Sequence, residues 1–448
     1  MMQSERINNY YSATCNNGET YPELSGEHRA DVVVIGAGST GINTCLELAE
    51  RGYKVALVEA NRVGWGASGR NGGQVTGSLS GDATISKQLT RMIGVDAKDI
   101  MHMLRWHGHK IIRQRIERYN IDCDLRYGHL NTAYHLSDIP ALQAAMEEAG
   151  NAGLEAHVQW LDKDKVHEKL ATPLYHGGVL NTYNMHLHSL NLCLGETAAA
   201  VSLGAQVFEQ SPVLSIDYGD AHGESANTSL ATVHTAKGSV AAKTVILAGN
   251  AYHRLAQDAL KGLVFPAILG NLTTAPLDEK TANKINPDNL AVYDSRMVLD
   301  YYRLTADRRL MFGGGTNYSG RDINDVANTL RPALERTFPD LEGVNIDYAW
   351  TGTAGIVVNR IPALGRVHGN VYYAQGYSGH GIASSHIMAE IMAEAVAGTM
   401  ERFDVFSRLK HIRLPVGPTT GSALIALGMA YYRLRDRLGQ LGSKKTSA

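Results

Sequence analysis

The chain has 448 residues, about three times the usual domain length, so it forms two domains or one large α/β unit. Hydrophobic residues make up 44% and charged residues 19%, which excludes a disordered, collagenous or coiled-coil protein. With 42 basic against 44 acidic side chains the net charge is −2, so no global field gathers nucleic acid or an anionic membrane.

A polar leader runs to Ala30 without the apolar core of an export signal. Asp31-Val-Val-Val-Ile35 is a short β-branched run, the pattern of a strand buried on both faces. Gly36 to Gly41 then leads into a predicted helix from Ile42 to Arg51, where Ile42, Cys45, Leu46 and Ala49 share one face and Gly52 supplies the stop. Lys54 to Val58 is a second buried strand that ends at Glu59. Helices are predicted over 96–119 and 138–153, and a third strand over 244–248 ahead of Gly249. The tyrosine-dense stretch 290–315 reads as extended, and the strand Val371 to Ala374 enters Gly376 to Gly381 before a helix from Ile382 to Val396. Strands placed singly between helices, then a group of strands, predict a parallel sheet interleaved with an antiparallel or mixed one.

Cys15, Cys45, Cys123 and Cys193 are widely spaced with no C-x-x-C pair, which predicts a reducing, cytoplasmic setting. No window of about 18 uncharged apolar residues occurs, so no transmembrane helix is expected. The last 48 residues carry nine Lys or Arg against three acids. Within them Leu424, Leu427, Tyr431, Leu434, Leu438 and Leu441 form a stripe, read as a self-packed helix over 420–441 rather than a membrane or partner docking helix.

Three glycine clusters carry the chemistry. Gly36, Gly38 and Gly41, with Ser39 and Thr40 between them, make G-x-G-x-x-G at a strand-to-helix turn, and Glu59 ends the next strand 18 residues after Gly41. A dinucleotide needs this arrangement: glycines that let backbone approach a pyrophosphate, a helix N-terminus with free N–H groups, and a carboxylate for the ribose hydroxyls. The second cluster, Gly64 to Gln74, can wrap an anion with backbone N–H groups and add Arg70 to it. In the third, Gly376, Gly379 and Gly381 flank His380 before a helix whose dipole would stabilise an anion on a flavin ring. A turn around a structural imidazole fits His380 equally well. No His-Glu-x-x-His, EF-hand or zinc-type cysteine spacing is present, so no metal is expected.

These clusters, with Ala248-Gly249, Trp350-Thr-Gly352 and Arg360-Ile-Pro362 followed by Gly365, resemble the D-amino-acid-oxidase-type family of FAD-dependent amine oxidoreductases over nearly the whole chain. The sequence departs from that family at Asn359, where Asp is usual, and at Ser189, where His-Pro is common. The resemblance implies an α/β fold in which an FAD-binding, Rossmann-like domain of glutathione-reductase type is interleaved with a mixed or antiparallel-sheet substrate domain. The expected division is an N-terminal extension over 1–26, the FAD domain over 27–90, 186–255 and 345–399, the substrate domain over 91–185 and 256–344, and a basic C-terminal helical extension over 400–448. Implied FAD contacts, without covalent attachment, are Gly36, Gly38, Ser39, Thr40, Gly41, Glu59, Ala60, Arg62, Gly66, Ala67, Ser68, Arg70, Asn71, Gly72, Gly73, Gln74, Val213, Ala248, Gly249, Gly352, Gly376, Gly379, Gly381 and Ile382.

The implied reaction oxidises a carbon–nitrogen bond of a small amine by hydride transfer to flavin, with oxygen as electron acceptor. The Tyr10-Tyr11 leader and Leu310 to Gly315 extend the likeness toward family members that act on gamma-glutamylputrescine or a related polyamine derivative. His380, Arg303, Tyr301 and Tyr377 are the candidate catalytic residues. Period-two alternation puts Tyr301 and Arg303 on one face, with Arg303 as anchor for a substrate carboxylate, while Arg308 and Arg309 read as a hairpin turn. Oxidation of a D-amino acid or N-methyl amino acid, or a flavoprotein using another electron acceptor, stays open as an alternative.

Overall fold

In the computed structural model, residues 8–16, 18–77, 80–219, 230–252, 254–414 and 420–428 are described. One sheet runs in the order Ala363–His368, Val371–Gln375, Gly238–Leu247, Gly26–Ile35, Val55–Val58, Gln206–Phe208, with a short hairpin of Ser215–Asp217 and Ala231–His234 attached to Gly238–Leu247. Its five strands from Val371–Gln375 to Gln206–Phe208 are parallel, and Val34 lies between Ile246 and Leu57. Helices cover this sheet, so Val32, Val33, Val34, Val55 and Leu57 are all buried, as an unbroken β-branched run requires. Helix Ser39–Glu50 has ten buried residues and packs on Gly381–Val396, Ser189–Ser202 and the interior strands Gly26–Ile35 and Val55–Val58.

The second sheet runs Ile346–Ile356, Phe265–Thr274, Leu310–Asn317, Tyr301–Leu304, Ala291–Asp294, Arg126–Thr132, Gly177–His186, Gln74–Val75, and Val158–Asp162 also pairs with Gly177–His186. It is mixed: Ala291–Asp294 is parallel to Arg126–Thr132 and the other ladders are antiparallel. Its own core centres on Tyr302, which stacks on Phe312 at 5.9 Å and meets Phe338 edge-on at 5.0 Å. Arg308, at φ +61°, sits in the turn before Leu310, as the alternation predicts.

The strand order corrects the expected division at two places. Ile346–Ile356 and Gln74–Val75 were assigned to the dinucleotide side, yet both belong to the second sheet. The burial of Ile346–Ile356 alternates over its first half, a half-covered antiparallel pattern rather than that of a buried parallel strand. The expected N-terminal extension is also built into the core, since Tyr10 and Tyr11 are buried and Tyr11 meets the rings of His188 and Trp350. Among the described residues no helix is long and apolar enough to cross a membrane. The C-terminal stripe is described only over its helical part at 420–428; Tyr431, Leu434, Leu438 and Leu441 lie outside the described residues.

Four histidines are buried without charge. Burial holds His109 down to about 4 and His129, His186 and His188 down to about 3. The unfolded chain binds these protons near pH 6.5 and the folded chain does not, so stability is lost as pH falls from about 6.5 toward 4. Each contributes up to about 1.4 kcal/mol per pH unit in that window. Urea unfolding is therefore expected to move to clearly lower midpoints between pH 7 and pH 5, with proton uptake on unfolding; a pH-independent midpoint would contradict this.

Candidate active site

A cavity of about 1400 Å³ is lined from both sheets. Of the residues singled out by sequence, Gly36, Gly38, Ser39, Thr40, Glu59, Ala60, Gly66, Ala67, Ser68, Arg70, Asn71, Gly72, Gln74, Val213, Ala248, Gly249, Gly352, Gly379, Gly381 and Ile382 line it, together with His380, Tyr301 and Tyr377. Gly41, Gly73, Gly376, Arg62 and Arg303 do not.

Those five have structural work instead. A Cβ on Gly41 would lie 1.9 Å from the Gly36 carbonyl oxygen, so Gly41 closes the turn against the helix rather than facing a ligand. Gly73 and Gly376 hold left-handed backbone at φ +72° and +80°. Arg62 pairs with Glu209 at 2.7 Å. The largest correction is Arg303, which is 2% exposed. Its guanidinium donates to the carbonyls of Gly72 (2.8 Å), Leu187 (2.9 Å) and Leu304 (3.2 Å), and lies 3.2 Å from Tyr11 Oη. Alternation does put it on the face of Tyr301, but the Gly72-Gly73 segment lies against that face and takes its donors.

One end of the cavity suits a dinucleotide. Glu59 is held by N–H donors from Ala37 (2.7 Å) and Asn61 (2.8 Å), and burial raises its carboxyl above the usual range. Each carboxylate oxygen keeps lone-pair capacity for ribose hydroxyls. Helices Ser39–Glu50 and Gly381–Val396 both begin at the cavity, and neither is capped by its own N-cap side chain. A Cβ on Gly38 would meet only Ser68 Oγ, at 3.1 Å, a contact that a small shift of that hydroxyl relieves, unlike the backbone collision at Gly41. Arg70 is 7% exposed, its Cζ lies 4.1 Å from the Trp65 ring centroid, and its carbonyl accepts from Trp350 Nε1 (3.0 Å) and Asn271 Nδ2 (3.1 Å). Its Nη2 is buried without a partner among the described residues, and desolvation lowers its pKa. A buried guanidinium in that state is complementary to an anion, so the residues present fit FAD.

The other end is aromatic. Tyr293, Tyr301 and Tyr318 line it beside Asn271, Leu269 and Leu299. Tyr301 donates to Asn271 Oδ1 at 2.8 Å, and its ring occupies the space that a Cβ on Gly72 or Gly313 would need. This explains two glycines, one in the second cluster and one in Leu310 to Gly315. Tyr377 shares a 2.7 Å hydrogen bond with Thr40 Oγ1, and burial pushes its phenol up. The half-buried His380 keeps Nδ1 without a partner among the described residues, and desolvation with the nearby charge of Arg360 pushes it down to about 4.

Sequence reasoning missed several lining residues. Arg296 lies between Asp294 and Asp300 and pairs with both, at 2.5 and 2.6 Å. Arg360, noted only as part of a motif, lines the cavity from left-handed backbone at φ +64°, with its Cζ 5.6 Å from the Tyr318 ring centroid. Asn250, also left-handed, accepts the Gly376 N–H at 3.0 Å and follows directly on the Ala248-Gly249 pair that did signal the site.

A parallel sheet with an open glycine turn, a buried ribose-type carboxylate and a buried Arg with a donor left over make up the binding site of a dinucleotide-dependent enzyme. The profile of the FAD dependent oxidoreductase (DAO) family matches residues 31–395, and the chain belongs to that family. The chain is 40% identical over 437 residues to gamma-glutamylputrescine oxidoreductase of Escherichia coli, covering 97% of this chain and 100% of that protein. It is 35% identical over 440 residues to the probable oxidoreductase OrdL of Haemophilus influenzae, covering 97% and 98%. Among solved structures, glycine oxidase from Geobacillus kaustophilus (TM-score 0.65, 21% identity, 84% of this chain and 98% of that one) and L-proline dehydrogenase from P. horikoshii (0.65, 19%, 84% and 94%) share the fold.

The two motif glycines are expected to fail differently. Gly38→Val leaves the fold intact but fills the space a pyrophosphate needs, weakening FAD binding by about 100-fold or more. Gly41→Val collides with backbone and lowers the melting temperature before cofactor is considered. Fluorescence titration of FAD into apoprotein, beside a thermal melt, separates them; a Gly38→Val protein that loads FAD normally would remove the pyrophosphate from this turn.

Proposed function

We propose that the chain oxidises the primary amine of gamma-glutamylputrescine or a closely related polyamine derivative in the cytoplasm, with dioxygen as acceptor: RCH2NH2 + O2 + H2O gives RCHO + NH3 + H2O2. The observation that carries this reading is the full-length 40% identity to gamma-glutamylputrescine oxidoreductase, together with a cavity that continues from the dinucleotide end into an aromatic chamber. Bound FAD supplies a hydride acceptor for the carbon that bears nitrogen.

The chain's own residues have three tasks. Tyr293, Tyr301 and Tyr318 provide an apolar lining for a methylene chain. His380, neutral above about pH 4, offers an ammonium no counter-charge and so favours the free amine from which hydride leaves. The substrate carboxylate needs a cation, and we assign it to Arg360, which lines the chamber with its Cζ 5.6 Å from the Tyr318 ring centroid.

Peroxide release from an amine panel tests the reaction; flavin bleaching by substrate without peroxide in air would make the enzyme a dehydrogenase. Arg360→Met is expected to cost about 2 to 5 kcal/mol in kcat/KM, or 30-fold to several thousand-fold, for the glutamylated amine while leaving putrescine nearly unchanged. Arg303→Met is expected to lower the melting temperature with no selective loss of the glutamylated amine. The opposite pattern would return the anchor to Arg303.

A further inference from the structure

The helix at 420–428 belongs to the basic C-terminal extension, and none of its residues lines the cavity. It lies one layer behind the cavity wall. Gly421 sets its backbone against the ring of Phe265, which is 1% exposed, and a Cβ there would be 2.0 Å from Phe265 Cε1. Ser422 is 2% exposed, and Gly320, at φ +73°, approaches it so closely that a Cβ would lie 3.3 Å from its Oγ. Ile425 and Ala426 pack on the cluster of Ala267, Tyr318 and Ile356, while Leu424 and Leu427 face outward at 51% and 71% exposure. Tyr318 and Ile356 are lining residues of the chamber.

The same cluster takes in Val298, from the loop between Ala291–Asp294 and Tyr301–Leu304, and its neighbours Met297 and Leu299 line the cavity. The inner end of this loop is locked. Asp294 accepts the N–H groups of Arg296 (3.0 Å) and Asp300 (3.2 Å), and the Arg296 side chain bridges both carboxylates. Val298, further along the loop, packs on the same Ala267, Tyr318 and Ile356 cluster that the helix packs on. We propose that helix 420–428 is the outer wall of the substrate chamber and that, through Tyr318 and Val298, it limits the size of the amine admitted. The substrate side of this proposal rests on the amine-oxidation reading above; the wall itself does not.

The test uses full-length holoenzyme. Gly421→Val wedges the helix off Phe265 without altering a lining residue, Ile425→Glu puts a charge into the contact, and Leu427→Glu on the outer face is the control. Two readouts are taken: iodide quenching of bound-flavin fluorescence, which needs no substrate, and the kcat/KM ratio of an N-benzylated gamma-glutamylputrescine to the parent amine. Gly421→Val and Ile425→Glu are expected to keep the flavin spectrum, raise the quenching constant about threefold or more, and raise the ratio about tenfold in favour of the bulkier amine, with Leu427→Glu unchanged. Unaltered quenching and an unaltered ratio in both inner-face variants would overturn the proposal. Should either variant lose FAD, Val298→Ala loosens the shared cluster from the loop side and carries the same expectations. If wild type does not oxidise the parent amine, the substrate reading fails while quenching still decides the wall; if it does and the inner-face variants change neither readout, only the wall fails.

Discussion

The guanidinium of Arg303 joins four parts of the chain that lie far apart in sequence. It is buried, carries a charge that would be costly without acceptors, and finds them in the carbonyls of Gly72, Leu187 and Leu304, beside the phenol of Tyr11. Through it the second glycine cluster, the connection after Gly177–His186, the Tyr301–Leu304 strand and the N-terminal turn share one fixed point. A cavity lined from two sheets collapses unless its walls are held apart, and this tie stands directly behind the wall formed by Gly72 and Tyr301. The aromatic contacts of Tyr11 with His188 and Trp350 complete the same brace.

Electrostatics then divide the cavity. At one end two helix N-termini and Arg70, whose Nη2 has no partner among the described residues, favour an anion, and Glu59 supplies an acceptor for hydroxyl groups. Behind those helices a buried network keeps them in register: Asn43 donates to Ser39 O at 2.7 Å and to Glu196 at 3.0 Å, and Glu196 faces His386 Nε2 at 2.8 Å. Ser39 and Ser385, one from each helix, share a 2.6 Å hydrogen bond at the cavity surface. Removing one partner of such a network leaves a buried charge uncompensated, so its members are felt at the cofactor end without touching it. At the other end Arg296 is paired between two aspartates, His380 is neutral, and the lining becomes aromatic.

Local patterns decided much of this protein. The β-branched runs at 31–35 and 55–58 have to be buried on both faces, and a glycine turn between such a strand and a helix has to leave free N–H groups at one point, so the dinucleotide end was legible from spacing alone. The helices at 97–118 and 381–396 followed from periodicity for the same reason: the information lies within a few turns of chain. What tertiary structure alone decided is where long side chains spend their donors and which sheet a lone strand joins. Alternation put Tyr301 and Arg303 on one face correctly, but whether Arg303 meets substrate or backbone depends on Gly72 and Leu187, 231 and 116 residues away. Ile346–Ile356 joined the second sheet because Phe265–Thr274 offers it ten paired positions, a partner chosen across some eighty residues. Sequence determines what each segment can bury or leave unpaired; only the folded contacts, made between segments distant in the chain, determine which partner it meets.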